Sequence, residues 1–244
     1  MIIPEWLTEL NFAFSQRDDG QMSFKRAEPH EVTAARYRFL ENRGLDLDAV
    51  VSGELPHGSE VALVSGRDIG KGARERDWIK GVDGLVTDKP GVLLMTTHAD
   101  CAPLIIYDRS HRILGQAHAG WRGLVSGVVE NLVDKLKSVN GTNPSDLHAW
   151  IGPTIRACCY EVDLDVAERF PLDCRILAGE SIRLDLTRFI HLELFKLGFD
   201  PDHVTDCNIC TSCDERFSSY RRDGDDVQAM ACLRGLPGKC VGSR

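Results

Sequence analysis

Between Gly84 and Ala119 the chain runs through four short apolar segments, GLVTD, GVLLMTTH, APLIIYD and RILGQAHA. Glycine, proline or aspartate interrupts each one. Short β-branched and apolar runs cut by turn residues predict strands. The tetrapeptide DRSH (108–111) between the last two predicts a tight hairpin turn. Immediately afterwards Leu124, Val125, Val128, Val129, Leu132, Val133 and Leu136 repeat with a helical period.

The rest of the chain supplies further mixed elements. Residues 31–43 and 185–197 read as helices, and LDAVV, SEVALV, LHAWIG, HVTDCNI and VQAMACL read as strands. Residues 65–81 are polar and glycine-rich, which predicts a mobile surface loop. Strands and helices do not alternate strictly, so a mixed α/β (α+β) domain fits better than a doubly wound parallel sheet. No repeat or long linker divides residues 1–244, and we expect one domain.

Charge narrows the function. With 37 acidic against 29 basic side chains the net charge is −8, which opposes nucleic-acid binding, since a phosphate backbone demands a basic face. A small anionic substrate needs only a local cationic pocket. No apolar run is long enough to span a bilayer, so no membrane role is expected. The N-terminal MIIPEWLTEL lacks the basic start of a secretory signal, which predicts a cytoplasmic protein. There the nine cysteines are expected to be mostly reduced.

One stretch concentrates chemistry. TTHADCAPLIIYDRSHRILGQAHAGWRG (96–123) carries His98, Cys101, His111 and His118. Cys101 and His118 lie seventeen positions apart, separated by strand, turn and returning strand, so a hairpin brings them face to face. A thiolate beside an imidazole suits two chemistries. One is a Cys–His nucleophile pair. The other is a soft metal site, zinc above all. His57, at a turn in ELPHGSEV, is the best distant third ligand. Two histidines and one cysteine leave a coordination position open, as catalytic zinc requires. The same donors hold blue copper when a weak axial ligand is added. The residues alone leave these chemistries open. His111 is read as a turn residue. His98, three positions before Cys101 on a strand, is expected to face the other way. His30, His148 and His203 lie outside any visible cluster, and eight histidines are too few for a four-copper oxidase. CNICTSC holds Cys207, Cys210 and Cys213 in two overlapping C-x-x-C spacings. No matching distant pair accompanies them, so free thiols are expected rather than a second zinc.

The motifs ADCAPLIIYD, HAGWRG, IGPTIRACCYEV and CTSCDERFSSYRRDG resemble, in order, those of the YfiH-like or laccase-domain family. That family is also called the multicopper polyphenol oxidoreductase or peptidoglycan editing factor family. The resemblance runs from about Phe12 to about Ala231. It implies a layered sandwich of mixed β-sheets flanked by helices. It implies zinc on His57, Cys101 and His118, the same three residues reached from their chemistry. It also implies purine nucleoside phosphorylase activity on adenosine, inosine and methylthioadenosine. Adenosine deamination accompanies this in some members, and polyphenol oxidation is the older description. Related toxins use a Cys–His pair to deamidate glutamine, which leaves a metal-free Cys–His hydrolase as an alternative.

The partners implied are a nucleoside and phosphate. Arg17, Arg122 and Arg221 match family arginines and suit phosphate as bidentate donors. Asp100, adjacent to Cys101, is the candidate acid/base partner or support for the ligand, and Trp121 and Tyr220 are candidates to stack on a base. The resemblance treats Cys158-Cys159 as packing. The chain departs from the family at Leu55-Pro56 before the first histidine, at Asp19-Gly20 and at Val227-Gln228. Those positions bear on substrate range rather than on the ligands.

Overall fold

A computed structural model describes residues 1–237. Cys240 lies outside the described residues. In chain order the strands are β1 (Asn11–Phe14), β2 (Val50–Ser52), β3 (Val61–Leu63), β4 (Gly84–Thr87), β5 (Leu93–His98), β6 (Ala102–Asp108), β7 (Ile113–Ala119), β8 (Leu147–Ile151), β9 (Glu161–Val162), β10 (Arg175–Ala178), β11 (Ser181–Leu184), β12 (Val204–Asp206) and β13 (Met230–Gly235). The helices are α1 (Glu5–Thr8), α2 (Pro29–Glu41), α3 (Trp121–Val125), α4 (Val128–Asn140), α5 (Leu164–Ala167), α6 (Leu186–Lys196) and α7 (Tyr220–Asp223).

The strands form three sheets. The largest has the order β12-β8-β6-β7-β4-β3, with parallel pairs at both edges and antiparallel pairing inside. A second has the order β1-β13-β5-β2, and a small antiparallel sheet joins β10, β11 and β9. Every residue of β6 and β7 is buried, which puts the large sheet in the middle of the molecule.

Strand parity shows what covers each face. Leu104 and Ile106 of β6 pack with Leu132, Leu136, Ile190 and Leu194 of α4 and α6. Ile105 and Tyr107 face the other way, against Leu94 of β5 and Cys232 of β13. The far side of the second sheet, through Leu93, Met95, Ala231 and Leu233, packs on Phe39 and Leu40 of α2. The layers are therefore helices, sheet, sheet, helix, the mixed sandwich expected from the family motifs. Each of the two larger sheets buries one apolar face against a helix and the other against its fellow sheet. Gly115 of β7 lets α4 approach, since a Cβ there would lie 3.0 Å from Leu132 Cδ1. We expect Leu132→Ala to lower the unfolding free energy by about 2–5 kcal/mol, read by denaturant titration. A smaller loss would mean that the helix layer is loosely held.

The structure corrects several expectations. The single helix read across 124–136 is two, broken at Gly127, whose φ of 88° interrupts the helical path between α3 and α4. Of LDAVV only its last two residues enter a strand, because Leu47–Ala49 form a 3-10 turn capped by Asp46. The 65–81 loop is tethered: the buried Arg36 guanidinium of α2 donates to the carbonyls of Gly72 (2.6 Å) and Ala73 (3.1 Å). The β9–β11 sheet was not anticipated, since its strands are only two to four residues long. Among the described residues no helix is long and apolar enough to cross a membrane.

Candidate metal centre

The β6–β7 hairpin sets the first two candidate ligands. Its register pairs Ala102 with Ala119 and Pro103 with His118, so Cys101 lies at the open end beside the departing strand. The DRSH turn closes the other end, with Asp108 paired to Ile113. His111 there donates its backbone N–H to Asp108 Oδ1 at 2.9 Å and is exposed at the turn. The third residue arrives on the loop between β2 and β3. Donor atoms of His57, Cys101 and His118 all lie within 4.8 Å of one another.

The backbone around this trio is bent to hold it. Leu55, His57 and Asp100 all have positive φ, at 57°, 67° and 85°. Such conformations cost free energy in non-glycine residues and persist where surrounding structure enforces them. Glycines of HAGWRG make room. A Cβ on Gly120 would lie 2.7 Å from Cys101 Sγ, and one on Gly123 would lie 2.7 Å from the Gly58 carbonyl oxygen.

Asp83, buried just before β4, organises the donors, and nothing in its sequence surroundings pointed to it. Its Oδ1 accepts from His118 Nδ1 at 2.9 Å and from the His57 backbone N–H at 3.0 Å. Its Oδ2 accepts from the Gly58 N–H at 2.6 Å. Holding the Nδ1 proton in this way leaves His118 Nε2 as the free donor atom.

His98 does not face away from the site. It lines the same cavity, with its ring 5.3 Å from that of His118. Strand alternation stops at His98, the last residue of β5, and the positive φ at Asp100 turns the chain back. It is nonetheless no ligand. Its Nδ1 lies 3.1 Å from the Cys101 carbonyl, which only accepts, so Nδ1 carries the proton. Its Nε2 then accepts from Thr96 Oγ1 at 2.6 Å. Burial, followed by the neighbouring His118, lowers its pKa well below the ordinary value and keeps the ring neutral.

Cys101 and His118 shift in opposite directions. Burial alone would raise the Cys101 thiol, but attraction to His118 and His57 outweighs it and brings the pKa down to about 6. Burial alone would lower His118, but the Cys101 thiolate and Asp83 raise it to about 9. A thiolate flanked by two imidazole rings is a soft three-donor set.

These donors open onto a cavity of about 690 Å³. Arg122, Arg221, Lys25 and Arg26 line it, with Trp78, Trp121, Tyr160 and Tyr220 as aromatic surfaces. The Arg122 guanidinium sits 4.4 Å from the Trp121 ring. Arg17 is not among the lining residues; its guanidinium lies 3.7 Å from Asp223. Asp100 lines the cavity but has both oxygens engaged. Oδ1 accepts from Thr211 Oγ1 at 2.6 Å, and Oδ2 accepts from the Arg221 N–H at 2.7 Å. The His148 and His203 rings lie 4.2 Å apart, tilted at 40° to each other, and do not line the cavity.

The described cysteines are free, as expected, but the fold brings four of them together. The distant pair that CNICTSC lacked in sequence is Cys158-Cys159, which the fold carries next to Cys210 and Cys213. The signal was there in IRACCYEV, but nothing local linked the two segments. Cys207, on the same stretch, is buried in the core between the sheets instead.

Residues 7–234 match the profile of the family described as multi-copper polyphenol oxidoreductase laccase. A Bacillus subtilis protein named purine nucleoside phosphorylase YlmD is 34% identical over 215 residues, covering 84% of this chain and 77% of that protein. The crystal structure of YlmD from Geobacillus stearothermophilus superposes with a TM-score of 0.92 at 30% identity, covering 96% of this chain and 94% of the other. That of a Bacillus licheniformis hypothetical protein, YfiH, superposes with a TM-score of 0.90 at 29% identity, covering 95% and 94%.

Proposed function

The chain belongs to the multi-copper polyphenol oxidoreductase laccase family, and on that footing we propose that it is a zinc-dependent purine nucleoside phosphorylase. The observation that carries this reading is the convergence of His57, Cys101 and His118 at the floor of a cationic, aromatic cavity. Relatives named purine nucleoside phosphorylase support it. The donor set fits a metal: Gly120 leaves just enough space beside Cys101 Sγ, and Asp83 fixes the tautomer of His118. Zinc is favoured because two imidazoles and one thiolate leave its fourth position open for water or substrate, the pattern of a catalytic zinc.

Phosphorolysis breaks the bond from ribose C1′ to a purine nitrogen and forms one from C1′ to a phosphate oxygen. The departing base keeps the electron pair and takes up a proton. When bound, zinc supplies a Lewis acid that stabilises charge developing on the substrate. The remaining work falls to side chains. Arg122 and Arg221 bind and orient the phosphate dianion. Trp121 and Tyr220 offer flat surfaces to the base. Asp100 acts as a positioning residue, because its two oxygens are committed to Thr211 and Arg221. Arg17 has no part in phosphate binding in this reading. Since Arg122 is exposed, Arg122→Ala is expected to raise the KM for phosphate by roughly 10–100-fold with a smaller change in kcat, measured by initial rates against phosphate.

The decisive assay follows adenosine chromatographically with and without phosphate, alongside elemental analysis. Adenine and ribose 1-phosphate formed only with phosphate support the proposal. Inosine formed without phosphate would assign deamination to the site. No turnover of any purine nucleoside would overturn both.

A metal-free Cys–His hydrolase is favoured by the proximity of the Cys101 thiol to the His118 and His57 rings, which draws its pKa down to about 6. In metal-stripped protein the pair predicts that Cys101 alkylation by iodoacetamide rises with pH through about 6. The thiolate, the reactive form, populates above that pKa. His118→Ala should move the midpoint upward, toward an ordinary thiol. Full amidase turnover retained in His57→Ala would favour the hydrolase, which has no use for that ring.

A further inference from the structure

Four cysteines outside the cavity meet at one point. Cys158 and Cys159 lie on the turn after β8, and Cys210 and Cys213 on the turn after β12. A backbone bridge between Thr154 and Cys210 joins the two turns: Thr211 N–H donates to the Thr154 carbonyl at 3.1 Å and Thr154 N–H to the Ile209 carbonyl at 3.2 Å. The four sulfurs all lie within 4.8 Å of one another. Cys213 Sγ is 3.2 Å from Cys159 Sγ and 3.6 Å from Cys158 Sγ. All four are free thiols.

We propose that Cys158, Cys159, Cys210 and Cys213 form a structural zinc site, separate from the His57, Cys101 and His118 centre. A tetrahedron with zinc–sulfur bonds of about 2.3 Å has sulfur–sulfur edges of about 3.8 Å; two separations here fall slightly short of that, at 3.2 and 3.6 Å, and all lie within 4.8 Å. Hydrophobic packing does not explain the cluster, because Cys158 and Cys213 are exposed. A disulfide would draw two sulfurs together and has no need of four. Four sulfur donors leave no position for water or substrate, so the site holds structure rather than performing chemistry. Each thiol that binds gives its proton to solvent. Two arginines brace the turns that carry the cluster: Arg222 donates to the carbonyls of Thr211 (3.0 Å) and Ser212 (3.3 Å), and Arg221 to that of Cys159 (3.2 Å).

The location gives the ion a purpose. Neither turn is part of an extended strand ladder, yet both hold Asp100. Thr154 Oγ1 donates to the Asp100 carbonyl at 2.6 Å, and Thr211 Oγ1 donates to its carboxylate. A zinc clip would hold in register the two turns that support Asp100 and Arg221 at the cavity wall. The site does not depend on the phosphorylase reading, because metal content is measured without substrate.

The test uses the full chain. By elemental analysis, Cys101→Ala and Cys213→Ser should each hold one zinc fewer than the parent, and the double variant should hold none. In the Cys101→Ala chain, where the other centre has lost its sulfur, added cobalt should give the strong thiolate-to-metal charge-transfer absorption of a tetrathiolate. If Cys213→Ser fails to fold, that spectrum decides alone. Equal zinc in the parent and in Cys213→Ser, or no charge-transfer band in cobalt-loaded Cys101→Ala, overturns the proposal.

Discussion

His118→Ala protein is expected to lose its active-site metal and nearly all nucleoside turnover. The substitution removes one of three donors that lie within 4.8 Å of one another. Lewis-acid stabilisation by a bound metal supplies several kcal/mol at the transition state. Losing about 4 kcal/mol corresponds to a fall in kcat/KM of roughly 10³-fold. Cys101→Ala and His57→Ala should behave alike, since each also leaves only two donors. The measurement pairs kcat/KM with zinc content. The informative exception is His57→Ala: if it keeps full turnover while metal is lost, the metal does no catalytic work and the thiolate–imidazolium pair carries the reaction.

Asp83→Ala should do comparable damage from one layer further out. Asp83 is fully buried and accepts from the His118 ring and from the backbone N–H groups of His57 and Gly58. Its removal frees the His118 ring to rotate and change tautomer. Losses of that kind typically weaken metal binding by about 10–100-fold. The two backbone donors are also left without their acceptor, at about 1–3 kcal/mol for each that stays buried. Calorimetric titration of zinc into stripped protein measures the first effect, and denaturant unfolding measures the second. Unchanged zinc affinity would mean that His118 is held by packing alone, for instance against His98.

How much of the site was legible in sequence depends on how far apart its members lie. Cys101 and His118 were readable because a hairpin with a short turn leaves few registers, and the backbone ladder carries the pairing from Asp108–Ile113 up to Ala102–Ala119. His57 was readable only as a histidine at a turn, supported by the family motifs. Asp83 gave no signal, since one aspartate in GVDGLVTD resembles any strand-end turn. The direction of His98 was misjudged because alternation was carried past the end of β5, into a segment turned by the positive φ of Asp100. Arg17 matches a family arginine, as Arg122 and Arg221 do, yet its loop places it against Asp223 and not along the cavity wall.

The sequence by itself determined the local matters: strand and helix faces, the hairpin and its paired ligands, and the soft character of the donor set. These follow from periodicity and side-chain chemistry within a few tens of residues. Only the tertiary structure decided which distant segments meet. Pairing of β4 with β7 inside the large sheet brings Asp83 to His118, and pairing of two turns brings Cys158-Cys159 to Cys210 and Cys213. Contacts between segments 35 to 55 positions apart depend on which strands and turns pair across the fold, and no short spacing rule encodes that.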